Sequence, residues 1–304
     1  GVYLRANAPG TYGVTATGLG LAMPTTQLQV DVATMEPTAL VFPSPTTRVS
    51  VGAGACSAGI RLQTRETNST SSPVSPVPAN VDVTLSASIA STAVFFSDAN
   101  CLMPLTNNLL RLNAGSSEAT FYFNGTIARD FTLSASAATL STTTPPQNAR
   151  ITPAPTNKLV FQAPTTVSAL ANDCNAGFGL VAFDTFDNPT YANGTITPSA
   201  TPGVPLPAGV AFSTTSACTT LTTTVPMADG GVTFFAKAQR AQQYTISATG
   251  ISSSTTTSAT FTVDAGAPSV LRVLTQPPAM TSAGPGGCAA VQIERLDGFM
   301  NPSP

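Results

Sequence analysis

Histidine and tryptophan are absent from the 304 residues, and only 9% of the residues are charged. Histidine is the side chain that titrates near neutral pH and the commonest transition-metal ligand, so its absence excludes Ser-His-Asp, Cys-His and histidine–metal chemistry. Lysine occurs only as Lys158 and Lys237, and the formal net charge is −2. The chain therefore lacks the basic surface that nucleic acids and anionic membranes require, and we expect neither as a partner.

Long apolar runs are also missing. No stretch of about 18 consecutive apolar residues occurs, so the sequence predicts no membrane insertion within these residues. Residues 1–30 contain neither a basic segment nor a continuous apolar segment, and they do not resemble a signal peptide. Either a mature or a truncated chain fits this pattern, and we expect any membrane anchor to lie outside it.

Small and polar residues are abundant: 76 residues are Ser or Thr, 23 are Gly and 26 are Pro. Such a composition alone suggests disorder, but 42% of the residues are hydrophobic, with 15 Phe and 5 Tyr. Disordered chains generally lack these residues. Because no apolar pattern with a helical period occurs, we expect β-strands whose exposed faces carry Ser and Thr.

The chain repeats itself at a long period. Its five cysteines alternate between short and long intervals: Cys56, Cys101, Cys174, Cys218 and Cys288. The two complete short intervals are 45 and 44 residues. Segments that begin at Tyr12, Phe131 and Tyr244 share the order aromatic-x-apolar-x-Ala and lie 119 and 113 residues apart. A period of this length corresponds to a whole domain with its own core.

The repeat predicts four domain segments with proline-bearing linkers at Pro37 and Pro155. They are the C-terminal part of a repeat at 1–36, complete repeats at 37–154 and 155–267, and the N-terminal part of a repeat at 268–304. Since proline stiffens a junction, we expect neighbouring domains to be semi-rigid. We expect the sequence to be a window on a longer tandem array rather than a subunit that completes itself with another copy.

Within a repeat the apolar period is two. Cys56, Ala58, Ile60 and Leu62 alternate with polar or small residues, as do the apolar residues of segment 81–85. Further short strands are separated by clusters of Gly, Pro, Asn and Ser. About seven strands in a little over 110 residues predict two packed antiparallel sheets.

Two motifs carry a resemblance to a known family. The segments Asp184-Thr185-Phe186-Asp187-Asn188-Pro189 and Asp297-Gly298-Phe299-Met300-Asn301-Pro302 are similar to the Asp-x-x-Gly-Asn-Pro turn of bacterial immunoglobulin-like domains. Residues 8–17 resemble the penultimate strand of the same family, that of large invasin- and intimin-style surface proteins. Asp187 and Met300 replace the family's glycine. The resemblance implies an all-β fold of tandem immunoglobulin-like antiparallel β-sandwiches, and it names no ligand.

We expect the cysteines to form one disulfide per repeat, Cys56–Cys101 and Cys174–Cys218. A nucleophilic cysteine needs a nearby base or cation, and a zinc site needs four ligands in close pairs, so the matched spacing favours structural bridges. The pattern implies an oxidising compartment outside the cytoplasm. The partner of Cys288 is expected beyond residue 304. The position of the second cysteine, in the middle of the repeat, departs from antibody-type domains.

Acidic residues offer one alternative site. Asp173, Asp184, Asp187 and Asn188 carry oxygen atoms of the kind that calcium binds. Asp and Asn also bond the backbone of turns, and the equivalent turn at residues 64–68 carries a single acid. We therefore expect a turn, with no metal site and no cofactor.

The remaining candidates are weaker. The acids are scattered, which disfavours glycoside hydrolysis and any other enzymatic role. Glycosylation sequons at Asn68, Asn124 and Asn193 are about as frequent as chance predicts in so Ser- and Thr-rich a chain. Residues 252–257 fit a solvated loop better than an O-glycosylated one. Tyr191 is the one loop aromatic that we nominate for ligand contact.

These features predict an extracellular or cell-surface structural spacer within a long tandem-repeat bacterial surface protein, able to form a fibre or filament. Its partners would be neighbouring repeats or copies of itself. The alternative is an adhesin-type module whose loops recognise a glycan or protein receptor. An exposed aromatic such as Tyr191 would favour that alternative.

Overall fold

The computed structural model describes residues 10–15, 27–32, 36–67, 70, 72–143, 145–203, 209–251, 257–275 and 291–304. The chain forms two compact units, Gly1–Thr152 and Pro153–Pro304. In the described ranges the regular structure is β, apart from a 3₁₀ turn at Thr106–Asn108. No helix in those ranges has the length and apolar character needed to cross a membrane.

The described strands of the first unit form one hairpin and one sandwich. They are β1 (Gly10–Val14), β2 (Leu28–Val32), β3 (Ala39–Ser44), β4 (Val49–Gly52), β5 (Ile60–Arg65), β6 (Val81–Ala87), β7 (Val94–Phe96), β8 (Leu109–Leu112), β9 (Glu118–Asn124), β10 (Arg129–Ser136) and β11 (Gln147–Thr152). Strands β1 and β2 pair antiparallel. One sheet has the order β4-β11-β10-β6-β8 and the other β3-β5-β9-β7. The core lies between them and includes Leu62, Leu85 and Phe121.

The second unit likewise contains one sandwich and one two-stranded sheet. Its described strands are β12 (Lys158–Phe161), β13 (Thr166–Leu170), β14 (Phe178–Phe183), β15 (Gly194–Thr201), β16 (Ala211–Ser213), β17 (Leu221–Thr222), β18 (Val225–Met227), β19 (Gly231–Lys237), β20 (Gln243–Gly250), β21 (Ala259–Asp264), β22 (Val270–Thr275) and β23 (Gln292–Leu296). The sheets have the orders β12-β14-β19-β16-β17 and β13-β21-β20-β15-β18. Strands β22 and β23 pair antiparallel.

The predicted fold class, tandem immunoglobulin-like β-sandwiches with a disulfide in each, is confirmed. One detail differs, because each sandwich contains one parallel pair, β4 with β11 and β13 with β21. The first strand of each sandwich is broken near a proline, Pro45 or Pro164, and its second half joins the opposite sheet. Proline lacks the N–H that would continue the first ladder, so the chain changes sheets there.

The predicted alternation holds along β10, where Phe131, Leu133 and Ala135 are buried. It fails at both ends of the segment predicted as a strand from Cys56 onward. Ser57 precedes β5 and is buried, because its Oγ accepts a hydrogen bond from Phe123 N (3.0 Å). At the other end Gln63 is buried although it alternates with Leu62, because Arg65 Nη2 donates a hydrogen bond to its Oε1 (2.6 Å).

Candidate functional site

Both predicted disulfides form. Cys56 pairs with Cys101 at a Cα–Cα distance of 5.6 Å, and Cys174 pairs with Cys218 at 5.7 Å. Each bond joins the residues before β5 or β14 to the loop that follows β7 or β16. These four sulfur atoms are therefore structural. Cys288 lies outside the described residues.

In the first unit a carboxylate organises the disulfide loop. Asp98 accepts hydrogen bonds from the N–H groups of Asn100 (3.1 Å), Leu102 (3.0 Å) and Met103 (2.7 Å). Desolvation raises the pKa of Asp98, but the bonds from Met103, Leu102 and Asn100 together hold it below its ordinary value. The Leu102 and Met103 side chains are left 77% and 64% exposed. Asp98 is a functional residue of this loop that was not predicted, although Asp is a turn-forming residue whose side chain commonly bonds nearby backbone N–H groups.

In the second unit a hydroxyl group organises the disulfide loop. Ser213 Oγ accepts a hydrogen bond from Thr215 N (3.0 Å) and bonds Thr215 Oγ1 (3.1 Å). Thr219 and Thr220 follow Cys218 at the positions that Leu102 and Met103 occupy after Cys101. The second loop therefore exposes hydroxyls where the first exposes apolar side chains.

The Tyr191 loop follows β14 and is fixed at its base. Thr190 N–H donates to Ala182 O (2.9 Å), and Gly230 N–H donates to Ala192 O (2.9 Å). Gly230 has a φ of +76°, and a Cβ there would lie 1.6 Å from the Thr190 carbonyl oxygen, so only glycine fits this contact. The Tyr191 side chain is 73% exposed.

Asn193, the sequon residue in the same loop, is engaged by the protein itself. Its Oδ1 accepts a hydrogen bond from Asp229 N (2.9 Å). Asn124 ends β9 and is half-buried. Asn68 and most of the 252–257 segment lie outside the described residues.

The Asp-Asn-Pro turn after β14 centres on a buried carboxylate. Asp184 Oδ1 accepts from Phe186 N (2.8 Å) and Asn188 N (2.9 Å). Its Oδ2 accepts from Ala154 N (2.8 Å) and Asn188 Nδ2 (2.8 Å). Burial raises the pKa of Asp184, but the bonds from Asn188, Ala154 and Phe186 hold it below its ordinary value.

The turn after β23 repeats this geometry. Asp297 Oδ1 accepts from Phe299 N (2.8 Å) and Asn301 N (2.9 Å). Its Oδ2 accepts from Gly266 N (2.9 Å) and Asn301 Nδ2 (2.9 Å). The pKa of Asp297 is lowered in the same way, with desolvation opposing and the Asn301 bonds leading the effect.

Both turns have a residue with positive φ at the position where the family's turn has glycine. Asp187 and Met300 occupy its position, and each has a φ of 67°. This is the left-handed region that glycine enters without steric cost. The turn thus keeps its backbone conformation although the residue has changed.

The acidic residues considered for calcium are arranged for other contacts. The two oxygens of Asp184 accept four N–H hydrogens from the protein itself, which leaves little room for a cation. Asp187 is mostly exposed and pairs with Lys158. In the described ranges no three acidic or cysteine side chains converge as metal ligands.

The fold defines a class of protein: tandem immunoglobulin-like β-sandwiches, each with one disulfide. The chain matches no family model and no curated protein. Among solved structures it is similar to InvD of Yersinia pseudotuberculosis, with 18% identity over 89% of this chain and 73% of that one, at a TM-score of 0.42.

Two further structures are similar. The Escherichia coli adhesin FdeC is 15% identical over 87% of this chain and 74% of that one, at a TM-score of 0.46. Domains 4-9 of the surface layer protein SbsC are 15% identical over 87% of this chain and 37% of that one, at a TM-score of 0.30. InvD and FdeC are bacterial immunoglobulin-like domain proteins, the kind that the sequence motifs resemble. Likeness at these identities concerns the fold.

Proposed function

We propose that this chain is an extracellular structural spacer, part of a long tandem-repeat bacterial surface protein without enzymatic activity. The observation that carries the proposal is the use of the buried carboxylates. In the described ranges these are Asp184 and Asp297, and each accepts four hydrogen bonds from the protein's own donors. Acidic groups placed in this way hold loops together and leave no lone pair for substrate.

The linker before the second sandwich supports the same role. Ala154 N is bonded to Asp184, so the chain between Thr152 and β12 is tied to the turn after β14. With complete repeats at 37–154 and 155–267, the linkers are short and contain prolines. Such linkers favour extension over a shared cleft. Neighbouring repeats or copies of the chain are then the natural partners, in a fibre or filament at the cell surface.

One observation favours a second candidate, an adhesin-type module. Tyr191 presents an exposed aromatic ring on a loop whose base is held by Thr190, Ala192 and Gly230. An aromatic face on a pre-organised loop is suited to stacking against a sugar ring or a protein side chain, because little entropy is lost on binding. The bound receptor would be a glycan or a protein.

Small-angle scattering combined with a glycan array separates the two candidates. The spacer role predicts an elongated scattering profile and no glycan binding by the intact chain. The adhesin role predicts binding that Tyr191→Ala abolishes and Phe186→Ala retains. Phe186 is a matched control because it is an aromatic residue of the same loop, 40% exposed. Glycan binding with this pattern would overturn the spacer proposal.

A further inference from the structure

The turn after β23 contacts the preceding sandwich as well as its own strand. Asn301 Oδ1 accepts a hydrogen bond from Ala241 N (2.8 Å), and Asn301 Nδ2 donates to Gln239 O (2.7 Å). Gln239 and Ala241 belong to the loop between β19 and β20. Asn301 is 5% exposed. One side chain thus bonds two backbone groups about 60 residues earlier in the chain.

The same turn also holds the linker between β21 and β22. Gly266 N donates to Asp297 Oδ2 (2.9 Å), and Ser303 Oγ donates to Gly266 O (2.7 Å). Ser269 N donates to Leu296 O (2.7 Å). Three segments therefore meet at the turn: the β19–β20 loop, the linker and the end of β23.

The hydrogen-bonding capacity of Asn301 is matched to this junction. Its amide nitrogen has two hydrogens, and these go to Asp297 Oδ2 and Gln239 O. Its amide oxygen accepts from Ala241 N. Truncating the side chain would leave buried polar groups unpaired on both sides of the junction.

The backbone of the turn explains how the side chain reaches this position. Met300 adopts a φ of 67°, which reverses the chain and brings Asn301 N back to Asp297 Oδ1 (2.9 Å). Asp297 therefore orients Asn301 through both the backbone N–H and the side-chain amide. The other amide hydrogen and the amide oxygen are then left for the β19–β20 loop.

We propose that Asn301, positioned by Asp297, is an inter-repeat clamp that fixes the β22–β23 segment on the β19–β20 loop of the preceding sandwich. The clamp sets the orientation of one repeat on the next through hydrogen bonds of one side chain to the backbone of the β19–β20 loop. It rests on the repeat division and is independent of whether the array is a spacer or an adhesin.

Hydrogen exchange and residual dipolar couplings of the intact chain test the clamp. Asn301→Ala should raise the exchange rate of the Ala241 amide by about tenfold, since a buried bond to that amide is lost. The couplings of β20–β21 and of β22–β23 should fit one alignment tensor in the wild type and two in the variant. Core amides of β20 should keep their protection, which shows that the sandwich remains folded.

Two further variants make the test specific. Asn301→Asp keeps an acceptor for Ala241 N but loses both amide hydrogens, so we expect an intermediate rise in exchange and separate alignment tensors. Asn80→Ala is the matched control, because Asn80 Oδ1 accepts a backbone bond from Ala114 N within the first unit. It should leave Ala241 exchange unchanged. An unchanged Ala241 rate and one shared tensor in both Asn301 variants would overturn the clamp.

Discussion

The two sandwiches share a strand plan and a disulfide position but fill their cores differently. In the second, ring contacts join six aromatic side chains into one cluster: Phe161, Phe178, Phe212, Phe234, Tyr244 and Phe261. In the first, the contacts among described rings form two groups, Phe42–Phe121–Phe95 and Phe123–Phe131. The same backbone architecture therefore tolerates a concentrated or a divided aromatic core, because what it requires is inward apolar volume.

The loops of the two sandwiches also keep their positions but use different side chains. Asp98 organises the first disulfide loop with a carboxylate, whereas Ser213 organises the second with a hydroxyl. After β14 the turn is built on Asp184, whereas Glu66 follows β5 in the first unit. Disulfide positions and strand order are kept, and the polar group that holds each loop is exchangeable.

The largest expected effect tests the difference between the cores. Phe234→Ala should destabilise the second sandwich by about 3–5 kcal/mol, since Phe234 is fully buried and contacts Phe161, Phe178 and Phe212. Phe121→Ala, which loses two ring contacts, should fall at the lower end of that range. Exchange of core amides in each sandwich under denaturant measures both losses separately.

Phe186→Ala is the control for this comparison, because Phe186 is partly exposed and we expect a change below about 0.5 kcal/mol. If Phe234→Ala lowers the free energy of unfolding by no more than Phe121→Ala does, the connected ring cluster does not make Phe234 more important to its core than Phe121 is to the first core.

The two disulfides, unlike the two aromatic cores, should contribute equally to the stability of their sandwiches. Replacing each pair by serine, Cys56/Cys101 or Cys174/Cys218, should cost the affected sandwich about 4 kcal/mol, because the closed loops are nearly equal in length at 45 and 44 residues. Denaturant unfolding of the two double variants measures the loss. Non-reducing peptide mapping provides the check on the wild type: free thiols at these positions, or a Cys56–Cys174 crosslink, would refute the assignment.

Acid should weaken the second sandwich through Asp184. The pKa of Asp184 is lowered in the folded state, so the unfolded chain binds the proton more readily. The stabilisation by Asp184 is therefore complete above the unfolded pKa of about 3.9 and is lost as pH falls through the lower folded value. Asp184→Asn should cost the second sandwich about 1–3 kcal/mol at pH 7, because the isosteric amide presents N–H donors to N–H groups.

The difference between wild type and Asp184→Asn should shrink as pH falls through the lowered folded pKa of Asp184, because the wild-type carboxyl then also becomes protonated. A series of chemical unfolding measurements from pH 7 downward measures it. Asp82→Asn, at an exposed position of β6, is the control. A difference that stays constant with pH would show that the charge of Asp184 contributes nothing to stability.

The smallest expected effect concerns the disulfide loops. Asp98→Ala should raise the exchange rates of the Leu102 and Met103 amides by about tenfold, because both N–H groups lose their acceptor. Ser213→Ala should affect mainly the Thr215 amide, since Ser213 Oγ is bonded to that residue. If each variant instead raised the exchange rates of all amides in its loop by similar amounts, the disulfide alone would order the loops.

Local patterns predicted a large share of the fold. The alternation in Phe131, Leu133 and Ala135 located β10, and the matched cysteine spacing paired Cys56 with Cys101. Both signals are local or periodic, because side chains of a strand alternate between faces and a repeated unit repeats its bridge. The Asp-Asn-Pro segments likewise predicted turns at Asp184 and Asp297.

The candidate site could be predicted from the sequence only in part. Tyr191 could be chosen from its loop position, but the contacts of Thr190, Ala192 and Gly230 that fix the loop depend on a turn about 40 residues away. For Asp98 the sequence offers a turn signal only, because the backbone N–H groups that face its carboxylate are set by the path of the disulfide loop. Whether Tyr191 contacts a ligand stays a prediction.

The sequence by itself determined the fold class, the repeat and the disulfide pairs, because apolar period and cysteine spacing are properties of the chain before it folds. Tertiary structure alone decided which polar side chains are buried and which donors meet each buried oxygen. Thr64 Oγ1 donates to the Ser75 carbonyl because the segment containing Ser75 lies beside it, and Asn301 bonds Gln239 and Ala241 because the β19–β20 loop reaches its turn. Contacts of this kind join residues distant in sequence, and a hydrogen bond requires geometry that only the assembled fold provides.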